Sequence, residues 1–369
     1  MRAENILVIA VDGLRAAALG AYGNTAFSTP ALDQLAVESL LFDWCYADAV
    51  ELPAIYRSLW QTDEPLAKSL AERGYTSTLV TDEPAVLALE GAEHFHDCVQ
   101  LPMIEAVRAE DVSHTALARS FAAVSEQIET SQASPRLVWV HSRGMYGPWD
   151  APLDLQEELL AREEGDPPPA DAIHPPDLLL DESDPDAAFR WSCAYAAQIM
   201  ALDACIGGLC RTLAEAARDN WLVVLSGVRG FPLGEHGRVG GVDGRLYAEQ
   251  LHVPMLWRFP DSSGRLARSG KLALLADLSP SLLARVRGEF RIPERDALFA
   301  AGPTGERSIR NADWSLRCEP TGAGELPGDD SCCQLFVRPD DRWEANDVAS
   351  LCPEVVEGLL ARLSEIPAP

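Results

Sequence analysis

The first residue placed to do chemistry is Asp12. It closes the apolar run from Asn5 to Val11 and precedes Gly13, so a carboxylate projects from the carboxyl end of a buried strand into a loop. In open α/β sheets that edge receives ligands, and a hard carboxylate oxygen there suits magnesium or calcium. His141 ends a second apolar run, LVWVH, and either faces the same edge or sits satisfied in the core. His94, His96, Asp97 and Cys98 have the composition of a metal cluster. They follow a helix pattern and precede a strand pattern on the domain rim, which reads as a surface loop. Cys332 and Cys333 lack the second pair that a zinc knuckle requires, and His252, in QLHVP, is assigned no chemistry.

Alternating elements must position these groups. Strand patterns near 5–11, 77–81, 136–141 and 221–226 alternate with helix patterns near 30–40, 64–73, 113–130 and 187–217. That alternation predicts an α/β fold, a mostly parallel sheet between helical layers. Gly20, Gly23 and Asn24 make a tight turn before Thr29 and Pro30, which take the N-cap and N1 positions of the helix ALDQLAVESL. In the last long helix Ala197, Met200, Ala201, Ala204 and Leu209 form a core stripe, and a further helical run is expected from Leu272 to Val286. The main domain is expected to span 1–300, with an acidic, proline-rich insertion at 150–186. That insertion reads as a solvated segment beside the cleft, whose islands Leu159-Leu160 and Leu178 to Leu180 pack back on the domain. After a boundary near Ala301-Gly302-Pro303, a small carboxyl-terminal α+β subdomain spans 304–369. In it SIRNADWSLRCEP and CQLFVRP read as an antiparallel strand pair, and PEVVEGLLARLSEI as an amphipathic helix.

The chain has 369 residues, with 30 basic against 57 acidic side chains and a formal charge of −27. A field of that sign repels nucleic acid, anionic membranes and sulfated polysaccharides. The amino-terminal apolar run is too short for a signal peptide and no later stretch is expected to span a membrane, so a cytoplasmic location is expected. Nine cysteines, an odd number without regular spacing, are expected to be reduced thiols rather than a disulfide framework.

The opening block VDGLRAAALGAYGN…STPALDQLAVESLLFDWCYAD closely resembles the amino terminus of the sulfatase family, within the alkaline phosphatase superfamily. Further stretches match in the same order: LAKSLAERGYTSTLVTDE, LVWVHSRGMYGPWDAP, the helix with Tyr195, Asp203 and Gly207, and SGVRGFPLGEHGRVGG with RLYAEQLHVPMLWRFP. The tail NADWSLR…CQLFVRPDDRWEANDVA resembles the family's small carboxyl-terminal subdomain. The resemblance is global and rests on no single motif.

The resemblance implies a divalent cation among acidic and amide or imidazole ligands, and an oxidised cysteine in C-x-P-S-R that attacks a sulfate ester. Here Asp12 falls on the first metal-binding aspartate, Gly13 on the second, and Val228 and Arg229 on the later aspartate and its histidine or asparagine neighbour. The nucleophile position holds Glu51 and the motif's arginine becomes Ile55, with neither serine nor threonine in the nucleophile's place. The histidine of D-P-H-x-P-Y, an acid–base position, becomes Tyr146, and the sulfate-binding lysine falls on Gly241, although Glu235 and His236 are retained.

Two functional readings follow. In the leading one the fold is intact, the hydrolytic machinery has degenerated, no cofactor is needed, and the protein acts by binding a small anion or a protein partner. Arg57, Arg229, Arg245 and His141 are then the anion-binding candidates, or these arginines pair with Asp12, Glu51, Asp243 or Glu235 and fill the space of the lost cation. In the alternative, the protein hydrolyses sulfate, phosphate or phosphonate esters through calcium or magnesium, with Asp12 and Glu51 as a weak metal pair and His141 or His236 in support. A purely structural subunit is a third possibility, and the sequence leaves the oligomeric state open.

Overall fold

The computed structural model describes residues 4–103, 106–130, 135–160, 173–181, 186–215, 220–321 and 332–365. Eight strands form the main sheet in the order β10 (Ala267–Leu274), β2 (Leu40–Tyr46), β9 (Met255–Arg258), β7 (Trp221–Gly227), β1 (Asn5–Val11), β5 (Arg136–Ser142), β3 (Thr76–Thr81) and β4 (Asp97–Gln100). Pairing is parallel except where β9 runs against β2 and β7. The central strands are near-continuous apolar runs because helices cover both faces. Leu7, Ile9 and Val11 pack against α1 (Pro30–Val37), α5 (Ala116–Glu129) and α7 (Ala187–Glu215). Ile6, Val8 and Ala10 point the other way, to α2 (Leu52–Trp60), α3 (Leu66–Ala71) and α9 (Leu278–Val286). Further helices are α4 (Pro84–Leu87), α6 (Leu153–Leu160) and α8 (Ala248–Leu251).

The three residues singled out on α7 hold the molecule together. Tyr195 donates its hydroxyl to the Gly13 carbonyl at 2.8 Å, fixing the turn after β1. A Cβ at Gly207 would come within 3.2 Å of the Ala31 Cβ, so glycine lets α1 and α7 cross closely. Thr29 and Pro30 stand where expected, yet the Thr29 hydroxyl makes no cap and instead accepts from Gly20 N at 3.3 Å. The cap is supplied across the fold: Asp203 accepts from Leu32 N at 2.8 Å and Ala31 N at 3.2 Å. Of the expected core stripe, Ala197, Ala201 and Leu209 are buried, Met200 is half-buried and Ala204 is exposed. An 18-residue window of α7 has mean hydropathy 1.4, enough by length and composition to cross a membrane, contrary to the expectation. That window is 72% buried inside the protein, as a core helix is.

Several expectations are corrected. The run from Leu272 to Val286 is not one helix: its start belongs to β10, paired with β2, and α9 begins at Leu278. Leu272 and Ala273 lie opposite Trp44 and Cys45, so tertiary pairing overrides local helix propensity. The small sheet has four antiparallel strands, β11 (Leu298–Ala301), β12 (Arg307–Arg310), β13 (Trp314–Cys318) and β14 (Cys333–Val337), backed by α10 (Pro353–Ser364). It therefore begins before residue 304, and SIRNADWSLRCEP is itself a hairpin of β12 and β13. Cys318 and Cys333 sit directly opposite each other on β13 and β14 and form a disulfide, so these two cysteines are not reduced thiols. In the acidic insertion, residues 161–172 and 182–185 lie outside the described residues. Part of the rest packs back as expected: Leu159 is buried, and Leu178 of β6 (Asp177–Leu179) and Leu180 lie against the core. That strand pairs with β8 (Arg238–Gly240) and leaves Leu179 exposed.

Removing the long-range cap should be measurable. Asp203→Ala is expected to lower the unfolding free energy by about 1–2 kcal/mol in urea titrations, with Asp203→Asn retaining about half of the effect. An unchanged midpoint for both variants would refute the capping role.

Candidate functional site

The site grows from the carboxyl ends of three adjacent strands. Val11 lies opposite Ser142 of β5 and Gly227 of β7, and Asp12 N donates to Ser142 O at 2.9 Å while Val228 N donates to Val11 O at 2.9 Å. This register delivers Asp12 and Arg229 to one point. Arg229 Nε donates to Asp12 Oδ1 at 2.8 Å and Nη2 to Oδ2 at 2.9 Å, a bidentate pair. Arg229 Nη1 donates to the Val50 carbonyl at 2.6 Å, which ties in the segment leading to α2. Gly13 N also donates to Asp12 Oδ1, at 3.0 Å.

The pair is closed over. Asp12 is 2% and Arg229 8% exposed. The Tyr146 ring lies 4.4 Å from the Arg229 guanidinium, and its hydroxyl donates towards Gly230 O at 3.3 Å and Gly241 O at 3.2 Å. Two glycines permit this roof. A Cβ at Gly144 (φ +49°) would fall 2.3 Å from Asp12 O, and one at Gly13 (φ +75°) 2.7 Å from the Met145 Cβ. Burial opposes the charge on Arg229, but Asp12 and Tyr146 outweigh it and hold the guanidinium above its ordinary pKa. Burial also pushes the Tyr146 hydroxyl up, so it stays protonated and donates.

These residues do not suit a divalent cation. Both Asp12 oxygens accept from Arg229, Gly13 has no side chain to ligate a metal, and Val228 is a fully buried apolar side chain. Glu51 is exposed at the N-cap of α2 and makes no capping bond, though it lies near enough to help hold Arg229 charged. Among the described residues no group of three or more His, Cys, Asp or Glu side chains could hold a metal, the His94 region included. His96 Nδ1 lies 2.9 Å from the Ser77 hydroxyl.

The remaining candidates separate. Arg245 is paired with Asp243 and donates to His236 O at 3.2 Å, so it does not join the Asp12 pair. Arg57 is exposed on α2 and has no ion pair among the described residues. His141 is buried with Nδ1 2.6 Å from the Tyr56 hydroxyl and Nε2 without a partner among the described residues. Burial lowers its pKa to about 3, so the ring is neutral. The retained Glu235 pairs with Arg15, whose guanidinium also donates to Phe231 O at 3.2 Å, and His236 reaches Glu249 and Glu344.

Sequence reasoning passed over a second feature beside the pair. Asp82 at the end of β3, Arg143 just past β5, and Arg119 and Ser120 on α5 line a cleft of about 60 Å³ roofed by Met103 and Pro148. Asp82 Oδ1 accepts from Arg143 N at 2.7 Å, and burial pushes its carboxyl up to about 6. Arg143 Nε lies 3.3 Å from Glu83, and Nη2 donates to Tyr146 O at 3.3 Å. The signal available in sequence was that Arg143 follows the same strand as His141 by two residues.

Solved structures share this architecture. A phosphonate monoester hydrolase of Agrobacterium radiobacter superposes with a TM-score of 0.77 at 18% identity, covering 98% of this chain and 95% of that one. Another, from Silicibacter pomeroyi, gives 0.73 at 16% identity over 98% and 94%. A protein solved with its substrate D-glucosamine-2-N,6-O-disulfate gives 0.73 at 17% identity over 99% and 97%. No curated protein sequence matches. The sulfatase sequence profile matches residues 4–288, most of the chain, and by that extent the chain belongs to the sulfatase family.

Proposed function

We propose that this protein does not turn over sulfate or phosphate esters and acts by binding. The observation that carries this reading is the commitment of both Asp12 oxygens to Arg229. A cation that activates a nucleophile needs open carboxylate oxygens and a vacant coordination position, and a bidentate guanidinium leaves neither. The position equated with the nucleophile is an exposed glutamate and the acid–base position a tyrosine locked as a donor to backbone carbonyls. The hydrolase reading requires Arg229 to withdraw from Asp12 before any metal could enter.

The ligand class is a small oxyanion such as sulfate or phosphate. Arg229 and Arg245 are engaged in ion pairs, whereas Arg119 is exposed with no ion pair among the described residues and borders the open cleft with Arg143. The cleft's 60 Å³ suits one small ion rather than a polymer. The chain's charge of −27 further disfavours nucleic acid, anionic membranes and sulfated polysaccharides as partners. A protein partner is the second reading, favoured by Met103 and Val107, which are 66% and 67% exposed at and near the rim.

Purified protein is expected to hold less than stoichiometric metal and to show no turnover above background on aryl sulfates, phosphates and phosphonates. Metal-dependent turnover abolished by Asp12→Ala would overturn the proposal. Arg229→Met should cost about 3–5 kcal/mol in urea unfolding by stranding a buried carboxylate, and Asp12→Leu/Arg229→Met much less. Calorimetric titration should show sulfate binding that tightens as the pH falls through about 6, where Asp82 becomes neutral. Asp82→Asn should remove that pH dependence, and Arg119→Ala should weaken binding about fivefold. Absence of sulfate and phosphate binding at both pH 5.5 and 7.5 would exclude the anion site.

A further inference from the structure

His236 lies outside the Asp12 pair, yet its surroundings impose a proton count. Nε2 faces the carbonyl oxygen of Glu344 at 2.9 Å, a group that only accepts. Nδ1 faces the Glu249 carboxylate at 2.8 and 3.0 Å. A neutral imidazole has one N–H, so one of the two contacts would set a lone pair against an acceptor. The geometry therefore needs a second proton, on the ring or on Glu249. The ring cannot easily turn away, because it stacks on Tyr247 with centroids 3.5 Å apart and planes 10° apart.

The contact joins two parts of the molecule. Glu344 lies in the segment 338–348 that follows β14 of the small sheet, whereas His236 and Glu249 belong to the main domain. Glu344 is held at φ +53°, a left-handed backbone that an L residue with a side chain resists. Its buried carboxylate accepts from Ala248 N at 2.7 Å, Ser315 Oγ at 2.6 Å and Arg310 Nη2 at 3.0 Å. Those bonds anchor the side chain and leave the Glu344 carbonyl dependent on His236.

We infer that the proton shared by His236 and Glu249 is a pH-sensitive pin that fastens segment 338–348 of the small subdomain to the main domain. When that proton leaves, the remaining N–H is kept by the charged Glu249, the stronger acceptor. Nε2 then presents a lone pair to Glu344 O, and that contact opens. The charged groups around the ring set the direction. Glu249 on α8, Glu235 on the same loop and Glu344 on the opposite subdomain are acidic; Arg15 pairs with Glu235, Arg245 with Asp243, and Arg310 with Glu344, and Arg317 stands 4.2 Å over the Tyr247 ring. Burial works to lower the His236 pKa, but Glu249 and the Glu344 carbonyl outweigh it and raise it above 6.5. Burial raises Glu249 as well. Both groups hold the proton more tightly in the folded state, so the pin is fully present below pH 6.5 and is lost as pH rises through the folded value.

The test is amide hydrogen exchange of segment 338–348 in the full chain from pH 5.5 to 8.5, corrected for intrinsic rates. Protection at Glu344 to Val348 should fall at least tenfold across that range in the wild type. His236→Gln, whose amide can donate to Glu344 O without titrating, should keep protection at all pH values, and His236→Phe, which keeps the stack but has no donor, should be unprotected throughout. A flat wild-type profile, or a slope that persists in His236→Gln, overturns the inference. Should the variants not fold, the wild-type imidazole and segment amides can be titrated together by NMR. A shared midpoint supports the pin and separate midpoints refute it.

Discussion

A carboxylate buried at the end of the central strand keeps its charge only beside a positive partner, and Arg229, which opposes the upward push of burial on the Asp12 pKa, is that partner. Asp12 is held at a point where β1, β5 and β7 all end, so its charge has no route to water. By binding both Asp12 oxygens and the Val50 carbonyl, one guanidinium ties three segments that the chain brings together from residues 12, 50 and 229. The roof follows from the same demand. Tyr146 covers the guanidinium only because Gly144 and Gly13 let the backbones approach, and its hydroxyl in turn fastens the loops at Gly230 and Gly241.

The small subdomain is attached by the same kind of interaction, beside an apolar cluster in which Leu298 and Ala300 of β11 meet Tyr46, Val50, Leu246, Leu251 and Leu272. Glu306 accepts two bonds from Arg317, at 2.8 and 2.7 Å, and one from Leu246 N of the main domain at 2.9 Å. Glu344 does likewise with Arg310, Ser315 and Ala248 N. Each carboxylate is buried and engaged by an arginine, so removing Arg310 or Arg317 strands a charge. Such networks fix one docking geometry, because hydrogen bonds to charged groups are directional in a way that apolar contact is not.

The fold was legible because its signals are local and redundant. The runs NILVIAV, RLVWVHS and WLVVLSG are apolar over a strand's length and fall at the centre of the sheet, β1 flanked by β5 and β7. What local reading missed depends on distant residues. Asp203 caps a helix 171 positions away, which no window around Thr29 reveals. The disulfide was hidden because Cys333 neighbours Cys332, and only the register of β13 on β14 selects the partner of Cys318. At the site the sequence placed Asp12 and Arg229 at one edge, but it left open whether the arginine would face an incoming anion or turn inward. Burial decides this: an unpaired Asp12 at 2% exposure costs several kcal/mol, more than an exposed anion contact returns.

An arginine and a divalent ion meet the same electrostatic demand and differ in everything else. Both neutralise a buried carboxylate, but the ion brings open coordination positions and lowers the pKa of a bound water, whereas the guanidinium brings N–H donors in one plane and no vacancy. Arg229 is also tethered, so no chelator or change in metal supply can remove it. On the proposed reading the exchange keeps the strand ends locked while discarding the Lewis acid. Reversing it would take more than freeing Asp12, since Gly13 cannot carry a ligand without driving a side chain into Met145, and Val228 is packed in the core. Gly13, Val228 and Arg229 therefore fit one another. An acidic side chain introduced at either 13 or 228 alone would bury a further charge or press on Met145, and this mutual dependence favours the Asp12–Arg229 pair over a cation.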